Sequence, residues 1–324
     1  MSQASPQIPT LTPDLVRQLF AEMLPGSGQI AEVERFAEGS VSGAYRVSFA
    51  GAAEEPVVVK LPSPKYPWLA AKEVYGYRLL AEHGISAIPE VLAFQESAAL
   101  LGGSPCMVLT MLPGQPLSDV SEELTEDELF EVYRQAGALL ASIHGIEMEA
   151  YGYMTTKILD PKPDNVAGMA NRFEQLLREY GELGGDAELA AAITDAAAGS
   201  AEIFAACTRP VLCHGDFHAG NILVQRDPYG RWQVTGTIDV ENLHASDPLV
   251  DLVRTESFSI QGNRSKLAGL LVGYGLSGEE WPAAWCERMR LYRLCLALEL
   301  WNWFTIVGNT AALPSLELEI RDSL

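Results

Sequence analysis

The sequence predicts an α+β fold in two lobes, a small antiparallel sheet with one helix up to about residue 111 and a larger, mainly helical lobe over residues 112–324. Three observations carry this. Short segments of alternating apolar and polar residues, bounded by Gly, Ser and Pro, crowd the first third of the chain. Further along, apolar residues recur at helical spacing instead. The 324 residues suffice for two lobes with substantial cores.

Composition narrows the function classes. A hydrophobic content of 48% with mixed charge excludes a disordered chain. The formal net charge of −21, from 22 Lys and Arg against 43 Asp and Glu, and the lack of a basic patch argue against a nucleic-acid partner. That acidity suits either attraction of a cationic small molecule or a solvated surface. The five cysteines lack metal-binding spacing and lie mostly among apolar residues, as in a reducing compartment. Residues 1–10 lack the basic flank and apolar run of a leader, and the most apolar stretch, 294–307, is too short to span a bilayer. The expected location is cytoplasmic, away from membranes.

Taken in order, Pro13 opens a helix over 13–23, capped by Thr10 or Thr12, with Leu15, Leu19 and Met23 on one face. Strands follow over 30–36, 44–49 and 56–61. The turn between the first two holds Gly39, Ser40 and Ser42, small residues whose amides and hydroxyls suit nucleotide phosphates. The third strand ends Val57-Val58-Val59-Lys60, a lysine on an apolar strand, and a helix over 70–80 offers Glu73 as its partner. In kinases such a lysine contacts the α- and β-phosphates and pairs with a glutamate of the following helix. Strands over 86–94 and 105–112 complete the sheet, and Pro113-Gly114 ends it. Thr125 and Glu128 form a capping box, and apolar residues from Leu129 to Ile143 give a long helix ending at His144, read as packing. Residues 151–166 read as loop, and 173–180 and 187–207 as helices.

The chemistry is concentrated in His214-Gly215-Asp216-Phe217-His218-Ala219-Gly220-Asn221, set between two apolar runs. An Asp two residues after a His, with an Asn five further on, matches the spacing of a phosphoryl-transfer loop. Asp216 would accept the hydrogen bond, and late in transfer the proton, of an attacking hydroxyl. Asn221 would turn back toward magnesium. Asp227-Pro228-Tyr229-Gly230 is a turn leading into Thr237-Ile238-Asp239, which sets Asp239 as the second metal ligand. Glu241 points to the same side on an extended chain and either assists the metal or faces the substrate. His214 organises backbone, and His218 either touches phosphate or steadies the loop. Gly215 stands where protein kinases usually carry Arg, which favours a small-molecule acceptor.

His214-Gly215-Asp216 with Asn221, Ile238-Asp239 with Glu241, and Asp247-Pro248 with Asp251 resembles the aminoglycoside phosphotransferase family of small-molecule kinases, over roughly residues 36 to 303. The resemblance implies a protein-kinase-like bilobal fold, ATP or GTP as co-substrate, Mg2+ as cofactor and a small-molecule hydroxyl acceptor. It makes Thr110 and Leu112 hinge residues whose backbone meets the purine, and Asp251 a brace for the catalytic loop. Aminoglycosides lead the acceptor classes by resemblance and acidity, beside macrolides, other antibiotics, choline, sugars and amino-acid derivatives. The last helix, 281–307, carries Glu299, Asn302 and Thr305 as a narrow polar stripe. That stripe either lines the acceptor pocket, through Glu299 and Asn302, or is a solvated strip. The rival readings are a nucleotide-binding regulator without turnover and a protein kinase.

Overall fold

The structure is a computed structural model that describes residues 9–36, 42–51, 54–63, 66, 68–278 and 280–324. Contacts divide it into two units. The first comprises Met1–Leu117, Thr155–Lys157 and Asn221–Asn242, and the second Ser118–Met154, Ile158–Gly220 and Leu243–Leu324. The elements are α1 (Pro13–Met23), β1 (Ile30–Arg35), β2 (Ser42–Phe49), β3 (Val57–Pro62), α2 (Trp68–Glu82), β4 (Val91–Ala98), β5 (Ser104–Thr110), β6 (Gln115–Pro116) and α3 (Leu117–Val120). Then come α4 (Glu126–His144), β7 (Gly152–Tyr153), α5 (Asn165–Glu182), α6 (Ala187–Gly199), α7 (Ala201–Ala205), β8 (Val211–Cys213), β9 (Ile222–Arg226) and β10 (Trp232–Thr237). The last are β11 (His244–Ser246), α8 (Leu249–Thr255), α9 (Arg264–Gly273), α10 (Cys286–Ile306) and α11 (Leu313–Asp322). The fold class is α+β, as expected.

In the first unit an antiparallel sheet runs in the order β1-β2-β3-β5-β4. Period-two alternation sends Val57, Val59 and Leu61 into a core shared with Val16, Leu19 and Phe20 of α1. The residue between, Lys60, therefore points to the opposite face, where Glu73 of α2 receives it. A second sheet, β10-β9-β6, is a hairpin extended by two residues of the linker. Its turn closes on Asp227, whose Oδ1 accepts the Tyr229 and Arg231 amides at 2.8 and 2.9 Å, with Gly230 left-handed at φ 79°.

The second unit is mainly helical. The capping box is present, with Thr125 Oγ1 accepting the Glu128 amide at 3.3 Å and Glu128 Oε2 the Thr125 amide at 3.0 Å. Helix α9 approaches α4 through glycines, since a Cβ on Gly273 would stand 1.8 Å from the Arg134 carbonyl oxygen. Three short strands, β7-β11-β8, form a small sheet behind the loop that begins at His214. No described helix is long and apolar enough to cross a membrane.

Several boundaries depart from expectation. Helix α5 begins at Asn165, because Asp164 caps it by accepting the Ala167 amide at 2.8 Å, so it takes in the end of the segment read as loop. The helix read over 187–207 breaks at Ser200 into α6 and α7. Strand β4 starts only at Val91, after Pro89.

Candidate active site

The first unit holds a buried charge cluster. Lys60 Nζ lies 2.8 Å from Glu73 Oε1, 2.8 Å from Asp239 Oδ1 and 3.7 Å from Glu241 Oε2. Burial disfavours the ammonium, but Asp239, Glu73 and Glu241 outweigh it and hold the Lys60 pKa well above the usual lysine value. Burial lifts Glu73 to about 7, with Lys60 pulling the other way. It also draws Lys72, on the same helix, down to about 7 against the attraction of Glu241.

The hairpin delivers Asp239 and Asn221 side by side. Ile222 pairs with Thr237, and a bulge next to Gly236 lets the chain press on the Ala87 carbonyl, 2.4 Å from where a Cβ would sit. Thr237 Oγ1 and the Ile238 amide both donate to the Asn221 carbonyl, at 2.9 and 3.0 Å. Asp239 then adopts φ 63°, a left-handed conformation that aspartate tolerates, with its amide donating to the Tyr77 hydroxyl at 3.0 Å.

The donor chemistry of this corner fits a hard divalent cation. Carboxylate oxygens of Glu73, Asp239 and Glu241 lie within 4.8 Å of one another, and the Asn221 backbone carbonyl meets the residues just before Asp239. An all-oxygen set suits magnesium rather than zinc. Glu73 and Asp239 both meet Lys60 at 2.8 Å, and Glu241 stands farther off at 3.7 Å.

The second unit holds the loop that carries Asp216. Its backbone is fixed by Asp251, fully buried on α8, whose carboxylate accepts the His214 amide at 2.6 Å and the Gly215 amide at 2.8 Å. Gly215 is left-handed at φ 78°, which a side chain would strain. His144 Nε2 lies 3.0 Å from Asp251 Oδ2, and its Nδ1 lies 2.6 Å from the Tyr274 hydroxyl. The helix-end histidine is therefore part of this brace. Burial works against the charge on Asp251, but His144, His244 and His214 hold its carboxyl down at about 2.

Asp251→Asn should therefore destabilise the second unit, because each buried donor left without an acceptor costs roughly 1–3 kcal/mol. A depressed pKa means that the wild-type stabilisation is complete above the ordinary value of 3.8 and is lost as pH falls toward about 2. Urea midpoints of wild type and variant should thus differ most at neutral pH and converge only below about pH 2.

Around Asp216, His214 Nδ1 accepts the Asp216 amide at 3.3 Å and His218 Nδ1 accepts the Gly220 amide at 3.0 Å. With Nδ1 accepting, the His218 proton sits on Nε2, 3.5 Å from Asp216 Oδ2. Arg254 Nη1 lies 3.6 Å from Asp216 Oδ1. Burial would raise the Asp216 pKa, but His218, Arg254 and His214 outweigh it and lower it, so the carboxylate is ionised at neutral pH.

The remaining expectations divide. Ser42 opens β2, paired with Pro62, whereas Gly39 and Ser40 lie outside the described residues. Thr110 donates its amide to the Glu90 carbonyl at 2.9 Å and accepts the Glu90 amide on its hydroxyl at 2.8 Å, so that amide is already taken. Leu112 is half-buried next to Gly236. The polar stripe of the last helix is corrected. Asn302 is 1% exposed and donates to the Leu176 carbonyl at 3.0 Å and to Glu179 at 3.1 Å, which ties α10 to α5 and keeps it from an acceptor. Glu299 is half-buried and paired, with Arg172 and Arg254 binding it at 2.6 and 2.9 Å. Sequence reasoning passed over Arg254, although its place three residues after Asp251 sets both on one side of a helix. Arg172, in α5, carried no such signal.

A family model described as "Phosphotransferase enzyme family" matches residues 32–285. Among solved structures, a thermostable mutant of aminoglycoside phosphotransferase APH(4)-Ia in its apo form is similar at TM-score 0.70 and 19% identity, covering 96% of this chain and 98% of that one. The same protein in ternary complex with ADP and hygromycin B is similar at TM-score 0.68 and 19% identity, covering 97% and 98%. A Thermobifida fusca protein assigned as a fructosamine-3-kinase is similar at TM-score 0.69 and 18% identity, covering 96% and 99%. No curated protein matches the chain by sequence.

Proposed function

The chain belongs to the phosphotransferase enzyme family, and we propose that it moves the γ-phosphoryl group of ATP or GTP to a hydroxyl of a small molecule. The observation that carries this reading is the Lys60–Glu73–Asp239 cluster. A buried ammonium shared by a helix glutamate and a hairpin aspartate has little structural purpose. It is poised to exchange Asp239 for phosphate oxygens, while Glu73 keeps it aimed. Asn221 and the released Asp239 would hold magnesium, which when bound neutralises charge on the phosphates. Asp216, ionised and fixed by the Asp251 brace, orients the acceptor hydroxyl and takes its proton late in transfer. Catalysis comes from positioning and charge neutralisation. In this reading residues 1–111 form the nucleotide-binding lobe, and residues 112–324 carry the catalytic groups and bind the acceptor.

Aminoglycosides are the leading acceptor class, supported by the hygromycin B complex of a similar structure and by the net charge of −21. A metabolite kinase acting on a sugar derivative is the second reading, supported by the similar Thermobifida fusca protein. A regulator without turnover would have no use for Lys60, Asp216, Asn221 and Asp239 together, and Gly215 disfavours a protein acceptor. The five free cysteines support a reducing, cytoplasmic location. The test is incubation with magnesium and ATP or GTP against hygromycin B, other cationic antibiotics, sugar amines and casein, read by mass spectrometry. Addition of phosphate to a small molecule is expected, and phosphate on casein alone would overturn the reading.

A further inference from the structure

Beyond the brace under the loop, the second unit builds a second support at the side of Asp216. Four charged side chains from four segments alternate in sign: Arg172 on α5, Glu299 on α10, Arg254 on α8 and Asp216 on the loop. Arg172 Nη2 lies 2.6 Å from Glu299 Oε2, Arg254 Nη2 lies 2.9 Å from Glu299 Oε1, and Arg254 Nη1 lies 3.6 Å from Asp216 Oδ1. The Nε of Arg254 is buried with no hydrogen-bond partner among the described residues, and the guanidinium lies over the Phe258 ring at 5.9 Å. Its two terminal nitrogens therefore fix its direction.

We infer that Arg254 is a positioning residue for Asp216 and that Glu299, clamped by Arg172, limits how closely the guanidinium can approach it. This rests on the reading of Asp216 as the group that orients the acceptor hydroxyl. Glu299 and Asp216 compete for one guanidinium. Arg254 is a planar fork that can engage a carboxylate through two nitrogens. With Glu299 charged, one nitrogen is held on Glu299 and the other only steadies Asp216 from 3.6 Å. With the Glu299 charge removed, nothing on α10 retains the fork, and Asp216 is the nearest carboxylate left to it. A full two-nitrogen pair there would occupy the oxygens that Asp216 must offer to a hydroxyl. Burial works against charge on Glu299, but Arg172 and Arg254 hold its carboxyl at about 2, so the clamp is charged at working pH.

The same geometry moves Glu299 from acceptor binding to the turnover step, and the two roles separate experimentally. Glu299→Gln, Glu299→Asp and Arg254→Lys are assayed with whichever hydroxyl compound of the acceptor panel gains phosphate, and the Glu299→Gln crystal structure is solved in parallel. In the Gln variant kcat should fall roughly 10- to 100-fold, the scale of a misplaced catalytic group, with acceptor KM within about twofold of wild type. Glu299→Asp, which keeps the charge, should recover most of the loss. Arg254→Lys, which lacks the fork, should lose kcat alone. In the crystal Arg254 should close to hydrogen-bonding distance of Asp216. A raised acceptor KM with unchanged kcat, or an unmoved Arg254 in the Gln variant, overturns the inference. An Asp216→Asn enzyme with full turnover would instead overturn the functional reading beneath it.

Discussion

Asp216→Asn should lower kcat by roughly 10²- to 10⁴-fold, the usual worth of a positioned general base, while nucleotide affinity stays within about twofold of wild type. The split follows from where the carboxylate sits. Asp216 belongs to a loop fixed by Asp251 and flanked by His218 and Arg254, and the Lys60 cluster is built from other segments. Asn keeps the shape of the side chain and a hydrogen-bond acceptor but cannot take a proton. The loop should remain folded, because its amides are held by Asp251 and its own side-chain contacts are peripheral. Steady-state kinetics with an established acceptor, alongside calorimetric titration of a non-hydrolysable nucleotide, reads both halves of this expectation. Equal loss of affinity and turnover would place Asp216 at the nucleotide instead.

Lys60→Met should act in the opposite sense, raising nucleotide KM at least tenfold and lowering kcat/KM by roughly 10²- to 10³-fold, as for loss of a preorganised charge at a transferring group. Its structural effect is as informative. Removing the ammonium leaves Glu73, Asp239 and Glu241 facing one another without their shared cation. Glu73, lifted to about 7 even with Lys60 present, should then be protonated at neutral pH. The sign of the pH dependence is fixed by the raised Lys60 pKa. Its stabilisation is complete below the ordinary lysine value and is lost as pH rises through the higher folded one. Wild type should therefore lose stability in strong alkali, above about pH 10, more steeply than Lys60→Met. Thermal melts from neutral to alkaline pH check this, and parallel curves would contradict it.

What could be read in advance was local chemistry with a fixed spacing. Asn221 and Asp239 stand at the two ends of one hairpin, so their offset alone sets the Asn221 backbone carbonyl against the Thr237 hydroxyl and the Ile238 amide. Lys60 was legible because alternation on a strand turns every second residue to the same face. The capping box at Thr125 has a mechanism contained within four residues. What escaped depends on partners distant in sequence. Strands β7 and β11 are two and three residues long, and β7 exists by pairing with β11, which itself pairs with β8. The glycines of α9 look like helix weakness until the Arg134 carbonyl is seen against Gly273. Asn302 and Glu299 share a stripe in sequence, yet one is a buried tie to Leu176 and the other a clamp between two arginines. No periodicity distinguishes those fates, because the deciding residues are on α5 and α8.

The fate of the γ-phosphoryl group is the measurement closest to the central claim. Phosphorus NMR of ATP or GTP with magnesium and the acceptor should show a new phosphate ester on a hydroxyl of the small molecule, formed by wild type and by neither Asp216→Asn nor Asp239→Asn at comparable rate. Inorganic phosphate as the sole product, or ester formation undiminished in both variants, would contradict the account.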